Sequence, residues 1–248
     1  MLLGANLVAP VAVLGSGGSW PSWLCLFLAH CFLAYALFAP WCDWLEPAYT
    51  RFQTLDREVW LTIDDGPDGE RTSQLLEGLA TRGVRATFFV KGAALADQLK
   101  LGRIIVAHGH TLANHTFTHP ISWFWLLGPS RLQRELEQCQ GALKDIEAGG
   151  NIWFRSPLGF KNLFLSRALH GLGLHLVLWD VRSHDGVYCR PAEVIRRVRS
   201  AALSGSIILM HEGRPRSNEA ILAVVDQLVE DGYRFVIPEA HQLRGAKI

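Results

Sequence analysis

The sequence predicts an α/β fold of parallel strands behind an N-terminal transmembrane segment, and three observations predict it. Residues 1–42 contain no Asp, Glu, Lys or Arg. From about Arg51 onward, short apolar runs bounded by Gly, Pro or Asp alternate with longer amphipathic stretches. The acids, histidines and arginines capable of chemistry fall directly after those apolar runs. Regular strand–helix alternation implies a parallel sheet with right-handed crossovers. About seven strands fit either an open doubly wound sheet or a barrel; reactive residues at the strand ends favour the barrel, whose active sites are built on its C-terminal rim.

The membrane segment comes first. Trp23 to Trp41 reads WLCLFLAHCFLAYALFAPW. As a helix it would span about 28 Å, close to the hydrocarbon thickness of a bilayer. Trp20, Trp23, Trp41 and Trp44 bracket it as interfacial aromatics do. The earlier apolar run from Leu2 to Leu14 is followed by a GSGGS break, which fits either a helical hairpin or one span after a surface-lying segment. A secretory signal fits poorly, because no basic residues precede the apolar stretch and it is too long. Asp43, Glu46, Arg51, Asp56 and Arg57 mix both signs after the span, so charge bias assigns no side of the membrane.

Seven strands are expected over Val59–Ile63, Ala86–Val90, Thr111–Asn114, Ile152–Arg155, His175–Trp179, Ser206–Met210 and Arg234–Ile237. The helices between them are expected over Ser73–Arg82, Leu95–His108, Pro129–Ala148, Asn162–Leu172, Pro191–Leu203 and Asn218–Asp231. Several open on a cap or Pro and close near Gly83, Gly149, Gly205 or Gly232. With 49% apolar residues, the 248-residue chain can bury a large core. Its net charge of +1 offers no basic field for nucleic acid. The five cysteines have no zinc-ribbon spacing and form no disulfide framework; a Cys139–Cys189 bridge is the one pairing left open.

Four groups of residues carry the chemistry. Leu61–Pro67, LTIDDGP, ends an apolar strand on two adjacent acids, a repulsive pair unless a cation or arginine compensates it. The same residues alone would also serve as an Asx-turn into the next helix. His115–His119, HTFTH, spaces two imidazoles i, i+4, which on a helix would share one face. Together with Asp65 they make a two-His, one-carboxylate set suited to a hydrolytic Zn²⁺. Ile152–Phe160, IWFRSPLGF, carries Arg155 at a strand end, where it can fix a carboxylate. Gly205–Gly213, GSIILMHEG, delivers His211 to the rim.

In this order and at these separations, LTIDDGP, HTFTH, FRSPLG and ILMHEG resemble polysaccharide deacetylases of the NodB-homology type, family 4 of the carbohydrate esterases. The likeness runs from about Val59 to Ile237. It implies a distorted (β/α)7-like barrel, Zn²⁺ or another divalent metal, and hydrolysis of the N-acetyl groups of amino sugars. Carried over residue by residue, it makes Asp64 the general base, Asp65, His115 and His119 the metal ligands, Arg155 the holder of the base, and His211 the general acid. A backbone N–H near Leu158, after Pro157, would face the oxyanion. The chain then divides into an anchor over residues 1–44, a linker over 45–58 and a catalytic domain over 59–248.

One family motif is altered. An Asp-x-x-Asp-Trp stretch is replaced in Leu178–Val187, LWDVRSHDGV, where Arg182 takes the first Asp position, Asp185 matches the second and Gly186 replaces Trp. The lost acid normally partners the catalytic histidine, so Asp180 or Asp185 is expected to substitute. Arg182 is expected to read an anionic group on the substrate. Trp123, Phe124 and Trp125 suit sugar stacking, a membrane interface or core cover equally. The expected substrate is an N-acetylated glycan or lipid-linked sugar near the bilayer, with membrane lipid around the N-terminal segment. The altered motif also admits an inactive glycan-binding or assembly protein, or a deformylase or other amidase on this scaffold.

Overall fold

The structure, a computed structural model, describes residues 19–146, 152–186 and 190–245. Helix α1 (Trp20–Phe38) has a Pro in its first turn, where a missing N–H costs nothing. It stops because Pro40 disfavours helical geometry at Ala39, which is extended at φ −84° and ψ 114°. Among the described helices it is the one long and apolar enough to cross a membrane, with a mean hydropathy of 1.7. Its sides are largely exposed, and burial is confined to its end, at Ala36 and Leu37 and at Ala39 and Cys42 just beyond it. That turn is fixed to the rest of the chain by Lys161. The Lys161 backbone N–H donates to Leu37 O at 2.8 Å, and its buried ammonium donates to the carbonyls of Ala39 and Pro40, each at 3.1 Å. The Leu2–Leu14 run, and with it the expected hairpin, lies outside the described residues.

Seven strands form a ring: β1 (Ala48–Phe52), β6 (His175–Val177), β5 (Trp153–Phe154), β4 (Thr111–Asn114), β3 (Thr87–Val90), β2 (Glu58–Asp64) and β8 (Ser206–His211). Neighbours are parallel, except that β8 meets β1 in a single antiparallel bridge, Ser206 to Arg51, which closes the barrel. Gly205 makes this closure possible. At φ +82° it approaches β1 so closely that a Cβ would lie 2.1 Å from Phe52 O.

The period-two pattern of the strands sorts the core into two layers. Trp60 of β2, Phe89 of β3 and Ile207 and Leu209 of β8 fill the barrel interior. Val59, Leu61 and Ile63 of β2 and Ile208 and Met210 of β8 face the surrounding helices. The helices answer with apolar stripes, such as Ile221, Val224, Val225 and Leu228 of α8 (Ser217–Glu230). The remaining helices are α2 (Gly69–Ala80), α3 (Gly92–Asp97), α4 (Leu99–Ala107), α5 (Pro129–Lys144), α6 (Leu165–Leu172) and α7 (Pro191–Ala201).

Several elements differ from expectation. The stretch expected as linker contains β1, a full member of the ring. The Arg234–Ile237 strand is instead β9 (Arg234–Phe235), outside the ring against the start of β2. Two short strands were not anticipated: β7 (Val181–Arg182) beside β8, and β10 (Leu243–Gly245) antiparallel to β1. The helix expected over Leu95–His108 is two helices, broken at Gln98, whose side chain bonds Gly69 N and Pro67 O. The expected end of α5 at Ala148, and Gly149 after it, lie outside the described residues, as does Cys189; Cys139 is buried as a free thiol.

Candidate active site

The parity that sends Trp60 inward also sends Thr62 and Asp64 into the barrel, so β2 delivers Asp64 to its mouth. In the parallel register of β2 and β8, Asp64 lies opposite His211. Asp65 then turns the chain at φ 78°. Gly66 is required beside it, because a Cβ there would sit 1.6 Å from the Glu212 carboxylate.

HTFTH is not helical. His115 and His119 converge through a loop after β4, in which Thr116 and His119 take left-handed conformations at φ 67° and 56°. Thus the i, i+4 helical face expected for this pair is corrected. The loop is set by side chains that satisfy its backbone. Asn114 Oδ1 accepts from Thr116 N–H, while the buried Glu135 carboxylate of α5 accepts from Phe117 N–H, Thr118 N–H and the Thr118 hydroxyl at 2.6–3.1 Å. The two imidazole rings end 4.7 Å apart.

Arg155 enters the barrel from the end of β5 and is fully buried. Its guanidinium donates to Asp64 Oδ1 and Thr62 Oγ1, both at 2.8 Å, and to the carbonyls of Val177 and Leu178 at 3.0 Å. It also lies 4.1 Å from the centre of the Phe89 ring. A buried cation this fully paired holds Asp64 in one orientation. Burial raises the Asp64 carboxyl above its ordinary pKa, with Arg155 opposing that shift.

The partner of His211 is Asp185. His211 Nδ1 lies 2.7 Å from Asp185 Oδ1, and the His211 backbone N–H donates to Asp185 Oδ2 at 2.8 Å. Asp180 is placed elsewhere, accepting from Arg51, the Ser206 hydroxyl and Ile207 N–H. Burial alone would lower the His211 pKa, but the bond and charge of Asp185, with Asp64 and Asp65 behind it, raise it above the ordinary value. The Nδ1 proton is thereby committed to Asp185, and Nε2 is left to the site.

Asp65, His115 and His119 present ligand atoms within 4.8 Å of one another. Asp65 Oδ1 is 3.4 Å from His119 Nε2 and 4.0 Å from His115 Nε2. That oxygen is buried without a hydrogen-bond partner among the described residues. His115 Nδ1 faces Arg155 O at 2.7 Å, so its proton sits there and the Nε2 lone pair is free. Burial pushes both histidines down to about 4, so they are neutral at pH 7, as ligation requires. The donor set fits a divalent metal.

The remaining expected residues are divided. Pro157 is buried, and Leu158 stands half-exposed at the rim at φ 56°. Arg182 is exposed at the edge, with its guanidinium 5.7 Å from the Trp179 ring centre. Of the aromatic trio, Phe124 is core, Trp125 meets Phe38 of α1 edge-on at 5.3 Å, and Trp123 is exposed. Three contributors escaped sequence reading: Glu135, which shapes the histidine loop; Glu212, against Gly66; and Arg214, whose guanidinium lies 3.4 Å from Asp65 Oδ2. Glu212 and Arg214 had one available signal, their place within four residues of His211.

The polysaccharide deacetylase family model matches residues 52–177, about half the chain. The chitooligosaccharide deacetylase of Rhizobium leguminosarum bv. phaseoli is 36% identical over 63% of this chain and 69% of its own length. The peptidoglycan-N-acetylglucosamine deacetylase of Listeria monocytogenes is 26% identical over 78% of this chain and 40% of its own length. Among solved structures, a family 4 carbohydrate esterase from Streptomyces lividans, in complex with acetate, superimposes with a TM-score of 0.69 at 32% identity, covering 75% of this chain and 95% of that one. The closed seven-strand barrel agrees with these likenesses, and the chain belongs to the polysaccharide deacetylase family, hydrolases that cleave the carbon–nitrogen bond of N-acetylated sugars.

Proposed function

We propose that this protein is a membrane-anchored, metal-dependent deacetylase of an N-acetylated amino sugar, with Asp65, His115 and His119 holding the metal. The observation that carries the reading is the pairing of that donor set with Asp64 and His211 across adjacent strands. A divalent cation held there supplies Lewis acidity toward the acetamide carbonyl and toward water. Asp64, held by Arg155, takes the proton from the attacking water. A backbone N–H near Leu158 would face the oxygen that gains charge. As the carbon–nitrogen bond breaks, His211 Nε2 donates a proton to the departing amine, and Asp185 stabilises the imidazolium beforehand. Acetate and the free amine leave, with the Asp64 proton returning to His211.

The membrane reading is supported by the apolar length of α1 and by the aromatic collar at its end, where Tyr35 and Trp44 lie 5.5 Å apart and Trp41 donates to the Tyr35 hydroxyl. The test uses the full chain in detergent micelles with Zn²⁺, measuring acetate released from N-acetylglucosamine oligomers and formate released from their N-formyl analogues. Acetate release abolished by Asp64→Asn and by metal stripping is expected. Release that persists in Asp64→Asn, or formate release from the formylated analogue in place of acetate, would overturn the assignment. The formate arm matters because Gly186 stands where the family motif has a Trp, and a Cβ there would meet the His211 ring at 4.0 Å, so no bulky side chain walls this position.

A further inference from the structure

Beside the site lies a cavity of about 1160 Å³ that shares only Leu158 with the proposed chemistry. Its lining includes Leu158 and His184, the sequence neighbours of Pro157 and Asp185 of the site. Its lining also includes Phe38, Pro40 and Trp41, at and just beyond the end of α1. Phe160 meets Phe38 edge-on at 4.9 Å, continuing that wall toward the barrel. The apolar lining is therefore continuous with a helix whose sides are exposed apolar residues.

The charged lining has one sign in excess. Arg51, Arg182 and Arg244 face a single carboxylate, Asp180, and Arg51 already pairs with it at 2.7 Å. Arg182 and Arg244 have no carboxylate partner among the described residues; Arg182 lies over Trp179, and Arg244 bonds carbonyl oxygens and Gln53. A neutral glycan needs hydrogen-bonding walls and leaves such cations unanswered. An occupant with an anionic link between a sugar and an apolar chain answers both halves.

We propose that this cavity binds the phosphate and the proximal lipid chain of a lipid-phosphate-linked amino sugar, whose N-acetyl group reaches the metal-ligand cluster. The phosphate meets Arg182 and Arg244, and the lipid chain lies against Phe38, Trp41 and Phe160 before passing along α1. The proposal rests on the deacetylase and membrane readings above and names the substrate class for that site.

The test compares two substrates on the metal-loaded full chain in nanodiscs: a polyprenyl-phosphate-linked N-acetylglucosamine and chitopentaose. The lipid-linked substrate is expected to show at least a tenfold higher kcat/KM. Arg182→Gln and Arg244→Gln should each lower the ratio of the two kcat/KM values at least tenfold, mainly through KM. A ratio near one in the wild type, or variants that change both substrates alike, would overturn the proposal. Saturable binding of sugar-free polyprenyl phosphate in micelles is measured in parallel. Binding lost in the double variant, with neither substrate deacetylated, upholds the cavity and removes the deacetylase reading. Chitopentaose turnover without saturable phosphate binding removes the cavity proposal and leaves the deacetylase reading standing.

Discussion

Replacing Asp185 by Asn isolates the contribution of the carboxylate that holds His211. Asp185 accepts three bonds: from the Ser183 hydroxyl and the His211 ring on Oδ1, and from the His211 backbone N–H on Oδ2. Asn keeps the shape but supplies one acceptor oxygen, so its amide must face one of these donors. The bond that holds the imidazolium is short and its carboxylate is buried, and such charge-assisted bonds contribute about 1.5–3 kcal/mol. At about 1.4 kcal/mol per decade, kcat should fall roughly 10- to 150-fold. Asp185 helps to raise the His211 pKa, and a general acid works only while protonated. The variant's alkaline limb should therefore move to lower pH. The assay is a pH series of kcat/KM on N-acetylglucosamine oligomers, with Asp180→Asn alongside. Asp180 anchors Arg51 and β8 and should affect thermal stability without moving the limb. A variant within twofold of wild type, with its alkaline limb unmoved, would refute the assignment of Asp185.

Three further expectations follow from the same geometry. Stripping the metal should lower the melting temperature as well as activity, because a ligand present at a hundredfold over its Kd stabilises by about 2.7 kcal/mol; scanning fluorimetry with and without Zn²⁺ would reveal an unchanged melting point if the site is not a metal site. Gly66→Ala should destabilise the fold by about 1–3 kcal/mol, since the added methyl collides with Glu212, and a denaturant midpoint equal to wild type would contradict that packing. Burial raises the Glu212 pKa from 4.5 to about 7, so its contribution to stability is present below 4.5 and lost as pH rises through about 7; Glu212→Gln should flatten the decline in melting temperature between pH 5 and 8.

The residues at the mouth were legible because strand periodicity and strand ends were legible. An apolar run that stops on Asp64 or His211 identifies the rim without coordinates. Strand β1 was hidden because AYTRF alternates buried and half-buried positions with no long apolar run, and its pairing is set by distant partners. β7 has two residues, too few for any period to register. The histidine pair was identified by its spacing and by its likeness to the family motif, but its loop depends on left-handed Thr116 and His119 and on Glu135, a residue on α5. The choice between Asp180 and Asp185 turned on which one faces β8 near His211 and which faces its start, a matter of tertiary register.

The way Lys161 grips the end of α1 has a consequence for where the chain can be divided. Cutting before Trp44 removes Ala39 and Pro40, the acceptors of a lysine ammonium that has no access to water. Cutting at Arg51 also halves β1 and opens the ring. The N-terminal helix is therefore not a leash from which a self-sufficient enzyme can be unclipped. Its final turn is tied to the loop after β5, and any fragment that lacks it loses those bonds.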